Sequence, residues 1–131
     1  MLRLRAICHL LKDNVPHYDW VGFYFVNPEN GNELVLGPFA GEPTEHTRIP
    51  YGSGICGRVA ISKEPLVIQD VSKEDNYLSC SVSVRSEIVM PIFRDGKFVG
   101  ELDIDSHMLA PFERGDLDFL GRVSTLLANL I

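Results

Sequence analysis

The sequence predicts an α+β domain: a central antiparallel sheet with the amino- and carboxy-terminal helices on one face and loops on the other. Three observations predict it. Long runs of apolar residues at helical spacing occur only at the two ends of the chain. Between them lie short β-branched and aromatic runs separated by Gly, Pro, Asn and Asp. A tight "RDG" joins the last two of these runs as an antiparallel hairpin.

Each element has its own warrant. Over residues 2 to 15, Leu4, Ile7, Leu11 and Val15 fall on one helical stripe, and Asp13, Asn14 and Pro16 end it. "YDWVGFYFVN", residues 18 to 27, is a strand, and "NPENGN" is the turn after it. A second strand is expected at about 33 to 36, ending in "GPFAGEP". The glycines of "YGSGICGRVAIS" predict a tight turn that opens a short helix, and "PLVIQD" reads as another strand. Residues 71 to 84 form a polar loop containing Cys80. Strands at 85 to 93 and 97 to 105 flank "RDG". Pro111 then precedes a helix whose stripe is Leu117, Leu120, Val123, Leu127 and Leu130.

Composition narrows the function. The 131 residues are 45% hydrophobic and 23% charged, with mean hydropathy +0.04, enough apolar side chain for one core and one domain, 1–131. A net charge of −6 gives no basic face for nucleic acid or anionic lipid. No apolar run approaches the roughly 20 residues of a membrane helix. "MLRLRAICHLL" is broken by Arg3, Arg5 and His9, so it has no signal-peptide core. Three widely spaced cysteines, an odd number, point to a reducing cytoplasm rather than a secreted disulfide scaffold. There is no CxxC and no Cys/His spacing suited to zinc, so no metal and no cofactor are expected.

The hairpin decides where the acids point. With a two-residue I′ turn, Arg94 would pair Lys97 and Glu87 would face away from Asp103. With a three-residue loop and Gly96 left-handed, Phe93 pairs Lys97, Glu87 lies opposite Asp103 and Arg85 opposite Asp105. The second register is expected. It sends Phe98, Leu102 and Ile104 to the terminal helices and sets Glu87, Asp103 and Asp105 together on the other face. Close carboxylates do not all ionise cheaply: one holds a proton near neutral pH, or a cation sits between them. On the first strand Trp20, Gly22 and Tyr24 share a face, and the glycine leaves a slot between two aromatic rings.

The thiols divide by context. Cys80 is flanked by serines in "NYLSCSVSVRSEI", where a structural cysteine would have apolar neighbours. Cys56 lies in "GSGICG", where free backbone amides at a helix start would favour an anion and lower a nearby thiol's pKa. Cys8 belongs to packing on the first helix.

Seven segments, "DWVGFY", "ELVLGPFAGEP", "RIPYGSGICG", "QDV", "SEIVMPIF", "DGKFVGELDIDS" and "FERGDLDFL", run in order from about residue 18 to residue 120. In this the chain resembles the GAF-domain free methionine-R-sulfoxide reductases. The resemblance implies a GAF-like fold with a loop-covered ligand pocket. It implies Cys80 as nucleophile, Cys56 as the candidate resolving thiol, and Glu87, Asp103 and Asp105 as contacts to the sulfoxide and the amino group. Trp20 and Tyr24 would wall the methyl-thioether end. A thioredoxin-like reductant and a homodimer through the terminal helices are also implied. Two departures stand out: His46 occupies a position where relatives often carry a further cysteine, and "NYLSCSV" replaces their "HIACD".

The implied chemistry fits these residue types. A thiolate attacks the sulfoxide sulfur while a carboxylic acid protonates the oxygen, leaving a sulfenic acid that a second thiol converts to a disulfide. The alternative is a GAF sensor or regulatory module that binds a small ligand without turnover.

Overall fold

A computed structural model describes residues 1–77 and 83–131 of the chain, so Cys80 lies outside the described residues. The described elements run α1 (Leu2–Asn14), β1 (Trp20–Asn27), β2 (Asn30–Ala40), β3 (Arg48–Pro50), α2 (Gly54–Ser62), β4 (Leu66–Ile68), β5 (Ser86–Arg94), β6 (Lys97–Ser106) and α3 (Arg114–Leu127). The six strands form one antiparallel sheet in the order β3-β2-β1-β6-β5-β4. Two features exceed the sequence reading. β2 is much longer than 33 to 36, and β3 was not expected.

The sheet is covered on both faces. On one side α1 packs against β1 and β2 and α3 against β5. Leu4, Cys8, Leu11 and Leu120 from the helices meet Val21, Phe23, Ile88, Leu102 and Ile104 from the strands. Each such fully buried side chain contributes roughly 1.5–3 kcal/mol of transfer free energy. Cys8 sits inside this core, its thiol donating to the Pro38 carbonyl at 3.5 Å, and burial pushes its pKa up to about 12. On the other side α2 lies over β5 and β6, and a second core joins Trp20, Tyr24, Ile55, Cys56, Val59 and Val89.

The hairpin corrects the expected register. Asp95 and Gly96 both have positive φ, +53° and +77°, so the turn is the two-residue type and Arg94 pairs Lys97. The register then shifts: Phe93 pairs Phe98 but Ile92 pairs Gly100, which leaves Val99 as an extra residue on β6. This bulge moves every later pair by one. Glu87 therefore faces Asp105 rather than Asp103, and Asp103 faces Val89. Arg85 pairs with neither acid; its side chain is exposed just before β5. Two changes of parity cancel, so Leu102 and Ile104 still face the terminal helices. Phe98 lies before the bulge and falls on the α2 side instead.

Glycine is required beside the bulge. A Cβ at Gly100 would stand 2.5 Å from the Tyr24 carbonyl oxygen on β1. The strands approach too closely there for any side chain.

Candidate active site

Alternation along β6 puts Glu101, Asp103 and Asp105 on the face beneath α2. β1 sets Tyr24 beside Glu101, Gly22 beside Asp103 and Trp20 beside Asp105. β5 sets Glu87 opposite Asp105. All four carboxylates are buried, none more than 3% exposed. The third residue of α2, Cys56, closes the group from above, with its thiol 3.9 Å from Glu87 Oε2. One donor atom from each of Cys56, Glu87 and Asp103 lies within 4.8 Å of the other two.

The sequence reading named Cys56, Glu87, Asp103 and Asp105, and the fold gathers them on one face of the sheet. It omitted Glu101, although the alternation that selects Asp103 and Asp105 also selects the residue two before them.

Burial dominates the electrostatics. It pushes Glu87 well above the usual carboxylate range, and the charges of Asp103 and Asp105 push it further. Asp103 is also raised by burial, but hydrogen bonds with Glu87 and Cys56 pull it back. Glu87 and Asp103 are hydrogen-bonded to each other and both are raised by burial, so the pair shares a proton. Burial and the Asp103 charge raise Glu101, with the Cys56 thiol acting the other way. The Cys56 thiol is itself raised well above its ordinary value, by burial first and then by Asp103, Glu101, Glu87 and Asp105.

That last result corrects the expectation of a thiol activated by a helix start. Four acids outweigh the helix start. Its first amide is also taken: Gly54 N–H donates to Asn76 Oδ1 at 2.9 Å, and Asn76 Nδ2 donates to the Gly52 carbonyl at 2.7 Å. Asn76 is a second residue the sequence reading missed. An Asn in a polar loop carries no signal of which distant helix it caps.

The aromatic wall also differs in detail. The Trp20 ring folds back over Gly22, where a Cβ would meet it at 2.3 Å, so the slot between the aromatics is filled by the tryptophan itself. Trp20 stacks on Phe39 at 5.5 Å between centroids and donates its Nε1–H to the Glu42 carbonyl at 2.9 Å. Tyr24 donates its hydroxyl to the His46 carbonyl at 2.9 Å. A cavity of about 10 Å³ remains, lined by Tyr24, His46, Ser53, Cys56, Glu87 and Asp103 among others. That is room for about one water-sized guest, for which roughly 10–15 Å³ is needed. Trp20 lies in the surrounding core rather than on the cavity wall.

Comparison with known proteins shows the family and the fold. Residues 3–131 match the GAF domain family. A "GAF domain-containing protein A" from Dictyostelium discoideum is 42% identical over 86% of this chain and 70% of its own length. A type II free methionine-R-sulfoxide reductase from Thermoplasma acidophilum superposes with a TM-score of 0.93 at 38% identity, over 98% of this chain and 89% of that one. A free methionine-R-sulfoxide reductase from Neisseria meningitidis, solved in complex with its substrate, gives 0.91 at 39% identity over 98% and 75%. The chain is a GAF-domain protein of the free methionine-R-sulfoxide reductase family.

Proposed function

We propose that this chain reduces free L-methionine-R-sulfoxide to methionine, with Cys80 as nucleophile and Cys56 as resolving thiol. The observation that carries the reading is the buried acidic face of Glu87, Asp103 and Asp105 lying against the Cys56 thiol under Tyr24. Two unsatisfied requirements meet there. The acids need a cation, and a free amino acid brings an ammonium group that a peptide-bound residue lacks. The sulfoxide needs a proton on its oxygen, and the Glu87–Asp103 pair, raised by burial, supplies one.

The Cys80 thiolate attacks the sulfoxide sulfur while Glu87 protonates the oxygen. The new bond between Cys80 Sγ and the substrate sulfur displaces the protonated oxygen as water; water then attacks Cys80 Sγ, that bond breaks, methionine leaves as the thioether and Cys80 is left as a sulfenic acid. Cys56 then attacks that sulfur, releasing water and forming the Cys56–Cys80 disulfide. A thioredoxin-like dithiol restores both thiols by exchange. Asp103 and Asp105 orient the ammonium, and Tyr24, backed by Trp20 in the core behind it, bounds the methyl-thioether end. The substrate is far larger than the cavity of about 10 Å³, so its binding parts the cavity walls. The proposed setting is the cytoplasm; among the described residues no helix is long and apolar enough to cross a membrane. The chain is proposed to associate as a homodimer, each copy carrying its own complete site.

Thioredoxin-coupled NADPH oxidation with the free R-sulfoxide tests this. The wild type is expected to turn over, Cys80→Ser to be inactive, and Glu87→Gln to lose about 10²–10⁴-fold, the usual worth of a positioned acid. A wild type that binds the amino acid without turnover would support the sensor reading instead. Undiminished activity of Cys56→Ser would show that the reductant attacks the sulfenic acid directly.

A further inference from the structure

We propose that Cys56, Glu87 and Asp103 form a binding site for a thiophilic divalent cation, with zinc as its probe. Sequence spacing predicts no metal, because the donors come from three separate elements, α2, β5 and β6. The fold nevertheless brings one sulfur and two carboxylate oxygens within 4.8 Å of one another, with 3.9 Å between Cys56 Sγ and Glu87 Oε2. Around tetrahedral zinc, with Zn–S about 2.3 Å and Zn–O about 2.1 Å, neighbouring donors stand roughly 3.5 Å apart. Closing the trio onto an ion therefore requires side-chain shifts of about an ångström.

Two independent observations point to a cationic guest. Glu101 is fully buried, no donor among the described residues stands within hydrogen-bond geometry of either of its oxygens, and alternation along β6 sets it on the same face as Asp103. Asp103 Oδ1 is likewise buried without a partner among the described residues. A buried carboxylate left in this way is costly unless a cation compensates it. The cavity that Cys56, Glu87 and Asp103 line, about 10 Å³, has the size of a single ion or water.

Donor chemistry selects the metal. A thiolate with two carboxylates suits zinc, whereas magnesium and calcium demand all-oxygen shells. On binding, the Cys56 thiol and the Glu87–Asp103 pair release their protons to solvent, and the thiolate and both carboxylates take the ion. Three protein ligands leave a fourth position open to water. An ion held there occupies the space proposed for the substrate ammonium and ties up the resolving thiol, so zinc inhibits the reaction. That consequence rests on the function proposed above; the binding does not.

The test titrates the reduced, metal-free full chain with zinc against a chromophoric chelator, and with cobalt(II) for its thiolate-to-metal charge-transfer band. One equivalent is expected per chain, with that band present. Cys56→Ser should abolish the band, and Cys56→Ser and Asp103→Asn should each weaken zinc at least tenfold. Cys80→Ser should leave binding intact, and magnesium should not compete. Thermal melts establish that each variant is folded, and Asp103→Asn carries the test should Cys56→Ser fail to fold. No stoichiometric zinc, zinc binding insensitive to both substitutions, or loss of binding in Cys80→Ser overturns the site. Turnover without zinc binding sinks this inference alone; zinc binding by a chain that never turns over sinks only the proposed reaction and the inhibition tied to it.

Discussion

No donor among the described residues stands within hydrogen-bond geometry of either oxygen of Glu101, although the side chain is completely buried. Its proton affinity is raised in the folded state, so the folded chain binds more protons than the unfolded one above the ordinary Glu range, about 4.3. This contribution is intact at low pH and is lost as pH rises. Glu101→Gln keeps the shape and cannot ionise. In chelator-treated protein it is expected to gain about 1–3 kcal/mol near pH 8, or roughly 3–10 °C in Tm, and much less near pH 5. Equal melting temperatures for variant and wild type at both pH values would refute the argument. Asp116 behaves oppositely. Burial raises it, but the Glu113 amide (2.8 Å), the Tyr18 hydroxyl (2.6 Å) and His17 Nε2 (2.9 Å) outweigh that and hold it below the usual range. It completes the capping box of α3, so Asp116→Ala should cost about 1–3 kcal/mol in urea unfolding. A lowered carboxylate stabilises above its unfolded pKa, so the difference should shrink as pH falls below about 4.

The last hairpin shows how an element reaches the right face by an unforeseen route. Its alternation of acid and apolar residues is legible from "ELDID", because a half-buried strand must send one set to each side. The turn type and the bulge are not legible. An Asp-Gly pair supports either loop length, and nothing in "KFVGE" marks Val99 as unpaired. The two misreadings cancel beyond the bulge and show at Phe98, on its near side. Cys56 illustrates the same limit. Its neighbouring glycines predict a helix start, but the state of its thiol depends on acids contributed by distant strands. Deleting Val99 tests whether the bulge is required. Without it the two-residue turn would set Glu87 opposite Ile104 and send acids toward α1 and α3, reversing the faces of one strand. The expected result is loss of a cooperative thermal transition by circular dichroism; a wild-type melt would show that the hairpin absorbs the deletion by rebuilding its turn.

At the scale of the whole molecule the sheet separates two tasks. The α2 face encloses the acids and Cys56, while the opposite face buries α1 and α3. The terminal helices keep apolar residues pointing outward: Leu2, Leu10 and Leu126 are 83%, 61% and 77% exposed. Leu130, placed by spacing on the buried stripe of α3, is 37% exposed, because the chain leaves α3 at Leu127 for a short 3₁₀ turn. These outward leucines are where the proposed homodimer would form, since apolar side chains on the outside of core-facing helices gain most from a second copy. Wild type is then expected to be dimeric by light scattering. Leu126→Glu places a charge in that contact and should weaken association about 100-fold, equivalent to roughly 3 kcal/mol. Because Leu126 lies on the side of the sheet opposite α2, turnover per chain should be unchanged. A wild type that is monomeric at assay concentrations would remove the dimer from the proposal. An inactive yet folded Leu126→Glu monomer would show that the two faces are coupled through the sheet.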